Sequence, residues 1–75
     1  MNLHEQHFLR NLGDRIREHR QARAWTQAEL AEKCDLHRTF IGSVERGERN
    51  ISILNLRLMA RILRVRLADL LNAST

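Results

Sequence analysis

Four side chains between positions 38 and 46 have the types and spacing to do recognition chemistry. At about 100° per residue, Arg38, Thr39, Ser43 and Arg46 fall on one side of a helix, while Phe40, Ile41 and Val44 fall on the other. A guanidinium fork can donate two parallel hydrogen bonds to a guanine edge or a phosphate, and threonine offers a hydroxyl and a methyl group. Ser43 and Arg46 fit the same face but are also ordinary solvated residues. Gly42 lies on this outer side and costs about 1 kcal/mol against alanine in a helix interior, so a neighbouring helix or a ligand backbone should approach it closely. A polar helix face with cations and no large apolar group suits entry into a DNA major groove.

Other chemistry is weakly represented. His4-Glu5-Gln6-His7 is one residue short of the His-Glu-x-x-His spacing that places two zinc ligands one turn apart. Cys34 and His37 have the types for nucleophilic catalysis, but no oxyanion site accompanies them. There is no glycine-rich phosphate loop. The sequence therefore predicts no catalytic residues, metal or cofactor, and the protein is not expected to be an enzyme.

The elements that must hold the recognition face are short helices. Thr26 and Glu29 form a capping box that opens a helix containing Ala28, Leu30 and Ala31. A tight turn follows at Cys34-Asp35-Leu36, and the next helix runs from about His37 to Arg46, ending at Gly47. Two helices so joined make a helix-turn-helix over residues 26–46. Before it, Leu3 to about Arg23 reads as a long helix with Phe8, Leu12 and Ile16 as its apolar stripe, Leu9 beside them, and Met1–Asn2 fraying. Gly13 interrupts the pattern locally. Arg20 continues the stripe and needs either a carboxylate partner or an outlet to water for its head group. Trp25 reads as a partly buried staple before the Thr26 cap rather than a base-stacking platform.

After Gly47 a polar loop leads to Ser52, which caps a fourth helix over about Ile53–Leu63. Ile53, Leu56, Met59, Ala60 and Leu63 form its expected core face. Leu54, Leu58 and Ile62 make a second apolar line, beside a polar strip at Arg57, Arg61 and Arg64. A short final helix at Leu67–Leu71 precedes a loose tail, Asn72–Thr75. The expected fold is thus all-α: five helices in a single domain over residues 1–75.

Charge and composition fit this reading. The chain has 75 residues and a net charge of +4, with Lys33 as its one lysine and Cys34 as its one cysteine. A basic, arginine-rich surface favours an anionic partner, nucleic acid before membrane. One cysteine excludes an intrachain disulfide framework and fits a reducing cytoplasm. No apolar run approaches the ~18 residues of a transmembrane helix.

Arg20, Thr26-Gln27-Ala28-Glu29-Leu30-Ala31, Phe40-Ile41-Gly42, Val44-Glu45-Arg46-Gly47 and the later Ile/Leu pattern together resemble the lambda-repressor-like helix-turn-helix family of bacterial and phage regulators. The resemblance runs from about Leu12 to Leu71. The Glu45–Ser52 segment is most similar to controller proteins of restriction–modification systems. The resemblance implies a transcription regulator that binds double-stranded DNA as a homodimer. Gln27 would brace against a phosphate and the next helix, Arg38, Thr39 and Ser43 would face bases, and Arg46 and Asn50 would touch phosphates. His37 and Arg49 flank these positions and complete the expected DNA-binding set. Glu45 would pair with Arg20. A controller would activate the restriction gene, meeting RNA polymerase, and regulate its own gene. A Cro-like or antitoxin-type autorepressor shares most of these features, and the same fold also serves as a protein-interaction adaptor.

The chain departs from the family at Ala24 and Asp35, where glycine is frequent, at His37, where a serine cap is common, and at Phe40, where tyrosine is. Ala24 implies a different loop path, and His37 a less firmly started helix. Residues 52–72 are the expected dimerisation region, with Leu54, Leu58, Leu67, Leu70 and Leu71 at the interface. Leu70 and Leu71 are preferred, because the last helix has least cover from its own chain.

Overall fold

Most of the helices begin where a side chain can close the first turn. In a computed structural model, which describes residues 2–71, the chain forms α1 (Leu3–Ala22), α2 (Gln27–Cys34), α3 (Arg38–Glu45), α4 (Ile53–Leu63) and α5 (Leu67–Leu71). Thr26 and Glu29 make the expected reciprocal cap of α2, and Asn55 N donates to Ser52 Oγ at 3.1 Å at the start of α4. Asn2 does not fray. Its side chain accepts from Glu5 N at 2.9 Å while its own N–H donates to the Glu5 carboxylate, a second capping box. His37 is the N-cap of α3 and supplies no side-chain hydrogen bond, so α3 starts without that support. The expectations for Met1 and Asn72–Thr75 fall outside the described residues.

The helices share one core. Ile16, Leu30, Ile41, Met59, Leu63 and Leu70 are each fully buried in it. The inward stripe of α1 is Leu9, Leu12, Ile16 and Arg20. Phe8, expected on that stripe, is 44% exposed, because the stripe enters the core through Leu9 instead. In α4, Leu56, Met59, Ala60 and Leu63 are buried as the pattern predicts. Ile53 shares their face but is 59% exposed, since the first turn of α4 extends past the core. Leu70 is also corrected: it is 1% exposed, because α5 packs against both α1 and α4 and turns this side chain inward. It cannot serve as a dimer contact in the folded chain.

Two glycines explain how closely the helices meet. A Cβ at Gly13 would lie 2.5 Å from the carbonyl oxygens of Val44 and Glu45, so α1 and α3 touch backbone to side here. This accounts for a glycine in the middle of a long helix. Gly47 has φ +75°, and a Cβ there would sit 2.7 Å from Arg10 Cα. The chain thereby leaves α3 against α1.

Three non-glycine residues adopt the left-handed conformation: Ala24 (φ 59°), Asp35 (φ 55°) and Arg64 (φ 59°). Asp35 ends α2, and its local hydrogen-bonding side chain tolerates that geometry. Ala24 overturns the expected detour: the loop takes the conformation that glycine favours, with Ala24 N donating to Gln21 O and Trp25 N to Arg20 O. Among the described residues there is no strand, and no helix is long and apolar enough to cross a membrane.

Candidate nucleic-acid interface

The site begins beneath the surface, at the junction of α1, α2 and α3. Arg20 Nε donates to Glu45 Oε2 at 2.6 Å and Arg20 Nη2 donates to Glu45 Oε1 at 2.9 Å, a two-pronged pair. The remaining guanidinium nitrogen, Nη1, donates to the Trp25 carbonyl at 2.7 Å. The Arg20 side chain is 9% exposed and that of Glu45 1%. Burying charge this deeply is tolerable only when every group has a partner, and among the described residues no buried side-chain nitrogen or oxygen lacks one.

Gln27 extends the network to the surface. Its Nε2 donates to Glu45 Oε1 at 3.0 Å. Its other amide atom, Oε1, lies over Gly42, where a Cβ would come within 3.4 Å of it. Gly42 is therefore buried at the base of the polar face, covered by the Gln27 amide from α2 and by Arg46 Nη1, which a Cβ would meet at 3.2 Å. Arg17 Nη1 adds a 3.4 Å bond to the Glu45 carbonyl near the C-terminal end of α3. α3 is thus held on its inner side by Ile41, Val44 and Glu45.

What remains outward is the polar face. His37, Arg38, Thr39, Arg46, Arg49 and Asn50 are exposed, and Ser43 and Gln27 are half-buried. Gln27, Arg38, Thr39 and Arg46 line one groove of about 610 Å³, with Arg20 and Gly42 in its walls. His37, Ser43, Arg49 and Asn50 do not line it. Asn50 instead borders a separate groove beside Phe8 and Leu9. Phe40, expected in the core, is half-buried, and Arg49 lies over its ring at 5.5 Å, a cation–π contact that orients this arginine.

Two details set what these groups can offer a ligand. Ser43 Oγ donates to the Phe40 carbonyl at 2.8 Å. Its proton is committed, so only lone pairs face outward and a ligand must bring the donor. Arg46 Nε donates to the Glu48 carboxylate at 3.0 Å, leaving its terminal nitrogens for an anion. The Glu48 contact was not anticipated from the sequence, although a carboxylate two residues after an exposed arginine is a usable signal. The Arg17 contact had no such signal, because it depends on the crossing of α1 over α3.

Cys34 is buried, and that burial pushes its thiol above the usual range. Glu29 is held below its ordinary value of 4.5, chiefly by the backbone N–H of Thr26 and then by the Thr26 hydroxyl. Its charge serves the cap of α2.

Comparison with known proteins agrees with this geometry. The helix-turn-helix family model matches residues 16–70. The control protein C.BamHI of Bacillus amyloliquefaciens is 41% identical over 64 residues, covering 84% of this chain and 79% of the relative. The restriction–modification controller protein C.AhdI of Aeromonas hydrophila superposes with a TM-score of 0.80 at 39% identity, covering 83% of this chain and 94% of that one. SinR, a master regulator for biofilm formation solved in complex with DNA, superposes with a TM-score of 0.76 at 33% identity, covering 80% and 97%. The chain belongs to the helix-turn-helix family, on the lambda-repressor-like fold of DNA-binding transcription regulators, and it resembles the restriction–modification controller proteins within it.

Proposed function

We propose that the protein is a cytoplasmic controller that binds an inverted-repeat operator as a homodimer. The observation that carries this reading is the buried chain from Arg20 through Glu45 to Gln27, which fixes α3 with its polar face outward. Arg38 and Thr39 read base edges, and Ser43 accepts from an exocyclic amino group. Gln27, Arg46, Arg49 and Asn50 take phosphates on either side, with His37 at the exposed start of α3 adding a contact at its edge. The proposed role, supported by the similarity to control proteins, is to activate a restriction gene through RNA polymerase and to regulate its own gene.

The dimer surface is revised by the burial pattern. Leu54 is 66% exposed at the start of α4, and Leu58 on α4 and Leu67 and Leu71 on α5 are half-buried. These four, already in the expected interface, remain as the proposed one without Leu70. One short helix reads too few bases for useful specificity, and a two-fold dimer spaces two recognition helices about 34 Å apart on successive major grooves. Sedimentation and operator titration of the wild type and Leu54→Asp test this. The wild type should sediment as a dimer at micromolar concentration, and Leu54→Asp should stay folded, become monomeric and lose cooperative binding. A wild-type monomer that binds one half-site tightly contradicts the dimer.

A further inference from the structure

A second basic surface lies away from the recognition face, where three helices end together. Arg23 is the C-cap of α1, Lys33 lies in the last turn of α2, and Arg61 and Arg64 lie in the last turn and at the C-cap of α4. With Trp25 and Ile62 they line a groove of about 550 Å³. Lys33 Nζ stands 4.7 Å from the centre of the Trp25 ring and the Arg23 guanidinium 5.3 Å from it. Arg23 is further fixed by its Nε, which donates to the Leu63 carbonyl at 2.8 Å.

Cations at helix C-termini are ordinarily explained by the helix dipole. That accounts for the sign of the charge at each end. It does not account for four of them lining one groove, two of them over its aromatic ring, with no carboxylate in the lining. None of the four forms an ion pair among the described residues. Glu29, one turn before Lys33, accepts from the backbone N–H of Thr26 at 2.8 Å and attracts Lys33 only through space, as the smallest influence on its own charge. The groove therefore has positive charge, an apolar floor and unused donors, the complement of an acidic segment that also carries an apolar anchor.

We propose that this groove is a docking site for an acidic, leucine-bearing segment of a protein partner, distinct from the DNA-reading face. Two observations favour protein over nucleic acid. Lys33 lies about 120° around α2 from Gln27, which lines the DNA-facing groove, so one duplex held by α3 does not reach both. The apolar floor, with Ile62 beside the ring, also has no use in holding a phosphate backbone.

Trp25 is the one tryptophan of the chain, so its fluorescence reports the groove directly. The probe is a short synthetic peptide alternating Asp and Leu, titrated into the full-length protein and followed by Trp25 emission and calorimetry. The comparison pairs Lys33→Glu/Arg61→Glu in the groove with Arg38→Glu/Arg46→Glu on the DNA face, which change the net charge equally. Saturable binding that shifts Trp25 emission, weakened about tenfold or more by the groove substitutions and left nearly intact by the others, is the expected result. Equal loss in both variants would mean attraction to net charge alone and overturn the proposal. So would binding without an emission change, or no binding. If the groove variant instead loses duplex DNA binding or self-association while peptide binding stays weak, the groove belongs to DNA or to a second copy, and the proposal fails.

Discussion

Removing Glu45 should cost a large share of the protein's stability at a single buried position. Glu45→Ala takes the acceptor from Arg20 Nε, Arg20 Nη2 and Gln27 Nε2 at once, while Arg20 keeps only its bond to the Trp25 carbonyl. Breaking one side of a buried pair costs about 3–5 kcal/mol. Arg20 retains a small opening to solvent through which its head can shift, which places Glu45→Ala near the lower end. Arg20→Ala leaves the Glu45 carboxylate, 1% exposed, with Gln27 as its remaining side-chain donor, and belongs near the upper end. A domain of this size has only about 4–11 kcal/mol in total. Each kcal/mol moves the melting temperature by about 4–8 °C, so about 3 kcal/mol is a drop of about 12–24 °C. Thermal melts of both single variants and the double alanine variant measure this. The double variant should lose clearly less than the sum of the two singles, because removing both charges leaves neither orphaned. Additive losses, or single losses under about 1 kcal/mol as for an exposed pair, would refute the reasoning.

Other positions give independent expectations. Arg38→Ala should relax preference at one base position at a cost of about 1–3 kcal/mol, whereas Asn50→Ala should weaken all sequences alike; selection from a random duplex pool with each variant distinguishes them. Ala24→Gly should stabilise the fold by about 1 kcal/mol, because it relieves a left-handed alanine. Gly13→Ala should destabilise by about 1–3 kcal/mol or more in chemical denaturation, since its Cβ would strike two carbonyl oxygens of α3. Leu70→Asp should fail to fold rather than form a folded monomer, as circular dichroism would show. The lowered Glu29 pKa contributes stability that is present above its ordinary value and is lost as pH falls through the folded value, so Glu29→Gln should flatten the acid limb of a stability–pH curve.

The sequence was most legible where local chemistry decides. Thr26 with Glu29, Ser52, and the break at Gly47 set helix limits within a residue or two, because caps and breakers act on neighbours. Periodicity also separated the inner Ile41 and Val44 from the outer Arg38 and Thr39. It failed where position along a helix, not angle around it, decides burial. Ile53 has the right angle but lies one turn beyond the core, and Leu70 lies in a five-residue helix whose facing partners belong to α1 and α4. Gly42 was placed outward by angle alone, yet the Gln27 amide from α2 covers it. The stripe position of Arg20 left either a buried partner or an outlet to water, and its link to Glu45 came from family resemblance. The engagement of Ser43 with Phe40, and the gathering of Arg23, Lys33 and Arg61 around Trp25, depend on side-chain paths and tertiary placement.

The central claim is that α3 reads a duplex from two copies related by a two-fold axis. Selection of wild-type protein against a random duplex pool, at fixed salt, measures this directly. The expected result is an inverted repeat whose half-sites are centred about 10 base pairs apart. An enriched single half-site, a direct repeat, or no enrichment above the starting pool would contradict it.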